Sequence, residues 1–199
     1  MDLKTKTVKK EIYTMSKVII QDVRGSYVFL TDPRKKEDGT EGKHSIQVLI
    51  KKDDKKQLAK IKNAVIEALT DKFGADAAKK LGKYKLPLRD GDEERDGEEY
   101  ENMFFMNANG NRKPGIVNRA GEPADIVDIE DYCYSGAYFH VSVNFYAFDS
   151  KDGGKPGVAV GLNNVMLRKK GERLDGSVSA TSEFSDFASD ADDDDFEDF

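Results

Sequence analysis

The chain has 199 residues, 38% of them hydrophobic and 35% charged, with no Trp, which allows one domain with a tail and excludes a second full core. A single cysteine, Cys133, excludes an intramolecular disulfide, and with His44 and His140 as the only histidines a Cys/His zinc module lacks ligands. The net charge of -6 is unevenly divided: nine of the 38 Asp and Glu lie in 183–199 beside no Lys or Arg, leaving 29 acids against 32 bases elsewhere, a net of +3.

A mildly basic body joined to a strongly acidic string points to a polyanion as the partner of the body, and to a string that competes with it or addresses a basic protein. The N-terminus "MDLKTKTVKKEIYT" has no apolar signal region, and the aliphatic runs "VII" and "VLI" are too short to span a bilayer. These features predict a cytoplasmic, reduced protein with no membrane partner, and with residues 1–15 as a basic arm or, alternatively, an upstream extension before Met15.

In chain order, "KVIIQDVRGSYVFL" (17–30) is rich in β-branched and aromatic residues and predicts a long strand bent or bulged at Gly25. A charged loop with Pro and Gly turn signals follows, then "HSIQVLIK", with Ile46, Val48 and Ile50 on one face. The period then becomes helical. Asp53 or Asp54 can cap a helix with apolar residues at Leu58, Ile61, Val65, Leu69 and Phe73 and a stop at Gly74, and "DAAKKLGKYKLPL" suggests a further short helix before Gly82. After the acidic run "DGDEERDGEEYE" come a strand and turn in "NMFFMNANGNRKPGIV", a clear β pattern in "AYFHVSVNFYAF" and a last strand in "PGVAVGLNNVMLRKK". From Gly171 apolar residues thin out, predicting the end of order near Gly176 and a disordered acidic tail over 176–199.

The expected fold is mainly β, a small antiparallel OB-type barrel with one main inserted α-helix, occupying 16–175. Closure into a barrel removes exposed edges and uses the twist that corner glycines supply.

Along 138–148, parity places Phe139, Val141, Val143, Phe145 and Ala147 on one apolar face. The other face carries Tyr138, His140, Ser142, Asn144, Tyr146 and Phe148, rings interleaved with hydrogen-bonding groups. Open rings can stack on unpaired bases at roughly 1–3 kcal/mol each, which makes Tyr138, His140, Asn144, Tyr146 and Phe148 candidates for contact with single-stranded DNA. Equally, half-exposed rings can pack under a loop or a second chain. Arg34, Lys35, Lys36 and Lys43 in the first loop, with Arg112 and Lys113 in "NGNRKPG", are candidate phosphate contacts, although each taken singly is an ordinary solvated charge.

Catalytic and metal sites fare worse. Asp92, Glu94, Asp96 and Gly97 mimic the start of an EF-hand loop, but Met103 stands where the bidentate Glu must be. A two-metal nuclease using Asp90, Asp92 and Glu94 would need carboxylates fixed on rigid elements. Phosphate-loop, dinucleotide and nucleophile-elbow motifs are lacking, and Cys133 between two tyrosines reads as a buried residue. The expectation is a protein that is not an enzyme and has neither metal nor cofactor.

The blocks "LPLRDGDEE", "MFFMNANGNRKPGIV", "YCYSGAYFHVSVNFYAF" and "GKPGVAVGLNNVMLRKKGERLDG", followed by an acidic tail ending in Phe, resemble the single-stranded DNA-binding proteins of tailed bacteriophages over about residues 16–199. The resemblance implies a non-enzymatic OB-fold protein that coats and protects single strands in phage DNA replication, recombination and repair, in the host cytoplasm. It also implies that the tail (Asp192, Asp193, Asp194, Asp195, Phe196, Glu197, Asp198, Phe199) recruits replication or recombination proteins. Phe196 and Phe199 would enter an apolar pocket while the carboxylates meet a basic rim. The ending, Glu197-Asp198-Phe199, departs from the Pro-Phe pair of the bacterial single-stranded DNA-binding tail. Self-association is a further expected interaction, and a strand-annealing or recombination mediator and an acidic interaction protein acting as a DNA mimic are the alternative readings.

Overall fold

The computed structural model describes residues 17–150, 153–178 and 183–185. The elements are β1 (Lys17–Phe29), β2 (His44–Lys51), α1 (Lys55–Phe73), β3 (Arg89–Asp90), α2 (Gly91–Glu94), β4 (Met103–Gly110), β5 (Gly115–Val117), α3 (Ile126–Tyr132), β6 (Tyr138–Phe148) and β7 (Gly157–Lys169).

β1 is long enough to pair with β2 through its second half (Arg24↔Leu49, Ser26↔Gln47) and with β6 through its first (Lys17↔Asn144, Ile20↔Val141). β2 pairs antiparallel with β4 from His44↔Gly110 to Lys51↔Met103, and β6 with β7. A parallel contact, Asn109↔Gly161, joins β4 to β7 and closes the ring in the order β1-β2-β4-β7-β6. The expected barrel of mainly antiparallel strands is therefore present, with two parallel seams, at β4–β7 and β5–β7.

The bend in β1 is two bulges flanking Gly25. Register shifts between Ile20 and Val23 against β6 and between Ser26 and Phe29 against β2, and Asp22 and Tyr27 take φ of 48° and 47°. Gly25 itself lies against the Phe139 ring, where a Cβ would stand 2.6 Å from Cε2. A side chain at this crossing would push the strand off the core.

The alternating residues Ile46, Val48 and Ile50, Met106 and Ala108, and Phe139, Val141, Val143 and Phe145 all point inward and are buried. α1 closes one end of the barrel with Ile61, Ala64, Val65 and Leu69. Its start is fixed by Asp54, whose carboxylate accepts from Gln57 N at 3.0 Å, and its end by Gly74 at φ 86°. The short helix expected before Gly82 in 76–88 is instead a pair of 3-10 turns, Ala75–Lys79 and Leu81–Lys83, and α3 is an element that the apolar pattern did not signal. Among the described residues no helix is long and apolar enough to cross a membrane.

Candidate nucleic-acid interface

Inward burial of alternate residues leaves a second set facing out, and at the paired His44 and Gly110 end of β2 and β4 that set is polar: Ser45 and Gln47, Asn107 and Asn109. With Tyr27 and Phe29 of β1, Arg34 of the 30–43 loop and Arg95, they line a cleft of about 340 Å³. Gln47 is buried but satisfied at both ends, accepting from the Tyr100 hydroxyl at 2.5 Å and donating to Asn107 Oδ1 at 2.9 Å. Asn107 and Asn109 are exposed above it.

Tyr27 is the most telling residue of the cleft. A bulky aromatic side chain at φ 47° is held in the left-handed region, which costs of order 1–2 kcal/mol relative to an ordinary strand conformation, and its ring is 54% exposed rather than buried. The bulge turns an apolar ring outward beside two guanidinium groups. Rings and guanidinium planes together are what unpaired bases and their phosphates recognise.

The acidic run 90–101 serves this cleft as a scaffold. Lys52 Nζ bridges Asp90 and Asp92, the second at 2.8 Å, and Arg89 Nε donates to Glu94 at 2.7 Å, so that these carboxylates are neutralised within the loop. Asp92 also accepts from Asn102 N at 2.8 Å. The carboxylates that a metal nuclease would need are thus committed to bases, and no group of three or more His, Cys, Asp or Glu among the described residues is placed to hold a metal. The loop carries Tyr100 onto Leu49 and Phe105 and sets Arg95 with its Cζ 5.0 Å from the Phe105 ring centroid.

Of the sequence candidates, Arg34 lines the cleft. Lys35, Lys36 and Lys43 lie in the same loop, and the pairing His44↔Gly110 brings the Arg112–Lys113 turn to the same end of β2 and β4. The β6 candidates lie elsewhere, because β6 is separated from β2 by β1 in the ring. Tyr146 is 42% exposed, and Phe148 is half-buried at the far end of the strand. Asn144 accepts from Asn163 Nδ2 on β7. Tyr138 lines a separate hollow, with Lys169 Nζ 4.3 Å from its ring centroid. The tail candidates, Asp192 to Phe199, fall outside the described residues.

His140 has a structural task. Its Nδ1 accepts from Asp22 N at 2.9 Å and so pins the first bulge of β1. Burial pushes its pKa below the usual 6.5, outweighing the Asp22 carboxylate 3.8 Å away. The neutral ring is therefore the folded form. Its contribution to stability is complete above pH 6.5 and is lost as the pH falls through the lowered folded value. The urea midpoint should accordingly fall more steeply between pH 7.5 and 5 in the native chain than in His140→Asn, which keeps an acceptor without a proton to gain. Parallel curves for the two proteins would refute this. Burial likewise pushes the Cys133 thiol up to about 11, consistent with an inert packed residue.

A closed barrel whose second and third ring strands, β2 and β4, present a cleft beside the loop joining the first two is the architecture of an oligonucleotide-binding barrel. The chain belongs to the family of the ssDNA-binding protein of Enterobacter phage Enc34, whose model matches residues 16–197. The solved structure of the single-stranded DNA-binding protein from bacteriophage Enc34 in complex with ssDNA is similar at 27% identity and a TM-score of 0.62, over 79% of this chain and 89% of that one. Protein p50 of Acyrthosiphon pisum secondary endosymbiont phage 1 is 27% identical over 180 residues, 86% of this chain and 94% of that protein. The bacteriophage T7 single-stranded DNA-binding protein gp2.5 shares the fold at 10% identity and a TM-score of 0.60, over 93% of this chain and all of that one.

Cleft residues missed by sequence reasoning are Tyr27, Phe29, Ser45, Gln47, Arg95, Asn107 and Asn109. A signal existed for four of them. Ser45, Gln47, Asn107 and Asn109 are polar at the alternate positions of strands whose other face buries Ile46, Val48, Met106 and Ala108.

Proposed function

We propose that this chain is a non-sequence-specific single-stranded DNA-binding protein, not an enzyme, that coats and protects single strands during phage DNA replication, recombination and repair. The observation that carries this reading is the cleft itself, where Tyr27 and Phe29 offer rings to bases, Arg34 and Arg95 offer charge to phosphates, and Asn107 and Asn109 offer adaptable hydrogen bonds. Lys35, Lys36, Lys43, Arg112 and Lys113 extend the phosphate-binding rim. The barrel over 16–175 is the binding domain, 1–15 a basic arm and 176–199 the acidic tail.

The tail competes with DNA and, once displaced, recruits replication proteins through Phe196 and Phe199. Its point of departure supports the first role. Leu174 packs against the cluster of Leu49, Tyr100 and Phe105, and its N–H donates to Ser135 O at 2.9 Å, so the chain sets out toward its terminus beside the cleft. A polyanion tethered there acts at high effective concentration.

Fluorescence anisotropy with labelled oligo-dT and a matched duplex tests this. Single strands are expected to bind preferentially, with log K falling by about 0.7 per log unit of salt for each phosphate neutralised. A chain stopped after Ser182 should bind more tightly or discriminate less. Equal affinity for both DNA forms would refute stacking, and absence of binding by either protein would refute the reading as a whole.

A further inference from the structure

Beyond the cleft, the same outer surface of the barrel carries a second concavity. At the other end of β2, a hollow of about 250 Å³ lies between the first bulge of β1 and the start of α1, with Leu49, Met103 and Tyr138 among its lining. Its rim is basic: Lys51 ends β2, Lys56 and Lys60 stand one turn apart on α1, and Arg24 reaches in from β1. The acids beside it, Asp22 and Asp54, are occupied. Asp22 pairs with Arg168 at 3.3 Å, and Asp54 caps α1 through Gln57. Arg24 is held by Gly136 O and Glu172 O. Lys51, Lys56 and Lys60 are exposed and make no ion pair with any described residue.

Three ammonium groups stand around this hollow without an ion pair, and the one carboxylate that attracts two of them, Asp54 with Lys56 and Lys60, leaves a surplus of positive charge. That arrangement favours an external polyanion. Its position selects which one. Lys51 is six residues along β2 from Ser45 at the cleft, about 20 Å at roughly 3.3 Å per residue, and both places lie on the outer surface of β1, β2 and β4. Tyr100 and Arg95 bridge the interval on top of Leu49 and Phe105. A barrel of this kind covers roughly 4–16 nucleotides, which occupies the cleft alone at the low end and reaches the hollow at the high end.

We propose that Lys51, Lys56 and Lys60 form a second phosphate-binding station, reached only by single strands long enough to leave the cleft across Arg95 and Tyr100. The proposal rests on the single-stranded DNA reading above, and it assigns to these lysines a length-dependent share of affinity that the cleft does not supply. Short oligonucleotides occupy the cleft alone. Longer ones gain the lysines as additional contacts within the same complex.

The test compares the full chain with the triple variant Lys51→Gln, Lys56→Gln, Lys60→Gln, using dT5 and dT20 over a range of salt concentrations. These side chains are exposed, and Gln preserves the helix tendency of α1. Folding of the variant is verified by its urea midpoint. The expected result is unchanged affinity for dT5, roughly tenfold weaker binding of dT20 at low salt, and a dT20 salt slope shallower by about 2, for three phosphates at about 0.7 each. A dT20 affinity and slope equal to those of the native chain would overturn the proposal. So would tighter binding by the variant, which would assign the lysines to the acidic tail. Loss of dT5 and dT20 binding to the same degree would show that the lysines belong to one short site, also against the proposal. Failure of the native chain to bind either oligonucleotide would instead be the failure of the underlying single-stranded DNA reading.

Discussion

Tyr27→Gly weakens binding of oligo-dT by roughly 1–3 kcal/mol, about 5- to 150-fold in Kd, without lowering the stability of the fold. Ordinarily, removal of an aromatic residue from a barrel strand destabilises it. Here the ring is 54% exposed and the backbone sits at φ 47°, so little packing is lost and glycine relieves the left-handed strain. The entropy that glycine adds to the unfolded chain offsets part of that relief, which leaves the urea midpoint about where it was. Tyr27→Phe should retain nearly all binding, because stacking needs the ring rather than the hydroxyl. Tyr146→Ala on β6 is the matched control: its ring is similarly exposed, but β6 is separated from β2 by β1, and its loss leaves affinity for short oligo-dT unchanged. Titration of the three variants by fluorescence anisotropy decides the matter. Equal losses for Tyr27→Gly and Tyr146→Ala would mean that the DNA does not distinguish the cleft from the outer face of β6, and no loss for Tyr27→Gly would remove the ring from the site.

That contrast also marks where sequence reading runs out. Parity along 138–148 separated the buried Phe139, Val141, Val143 and Phe145 from the outward residues except at Ser142, which parity places outward but which is buried where the β6–β7 register shifts. Parity fixes inside against outside, but a closed barrel has an outside all the way round. Which outward strip becomes a cleft depends on the order of strands in the ring and on the loops that flank it. The closing contact Asn109↔Gly161 joins strands separated by about fifty residues, and nothing local encodes it. The polar strip of Gln47, Asn107 and Asn109 was legible as an alternation, yet it was hidden by the more conspicuous tyrosines of β6. Arg95 lay unread inside "DGDEERDGEEYE", because a run of acids resembles a solvated loop until Lys52 and Arg89 are seen to neutralise it. α1 was read almost to the residue, since its apolar spacing, Asp54 cap and Gly74 stop are all local.

The bulges of β1 have a counterpart in the glycines that let two other segments approach the strand, and there the largest loss of stability is expected. Gly136 lies at φ 116°, donates its N–H to Gly25 O at 2.8 Å and supplies its carbonyl to Arg24. A Cβ at Gly136 would stand 1.9 Å from Glu172 O and 3.1 Å from Arg173 Cα, both backbone atoms with no rotamer to yield. Gly136→Ala must therefore either shift the 134–137 backbone off β1 or lift 171–174 away. The two penalties, strain at positive φ and a backbone clash, together cost about 3 kcal/mol or more. Lifting 171–174 also withdraws Leu174 from Leu49, Tyr100 and Phe105 and breaks its hydrogen bond to Ser135 O. Gly82→Ala provides the comparison, because nothing lies within 4 Å of its Cβ position and its φ is not positive. In urea denaturation Gly136→Ala should lower the midpoint sharply, while Gly82→Ala leaves it unchanged or slightly raised. The route of the damage is visible by limited proteolysis. Lifting of 171–174 predicts faster cleavage after Lys170 or Arg173 in Gly136→Ala under conditions where the barrel is still folded. A destabilised variant without that cleavage would place the strain in the 134–137 backbone instead.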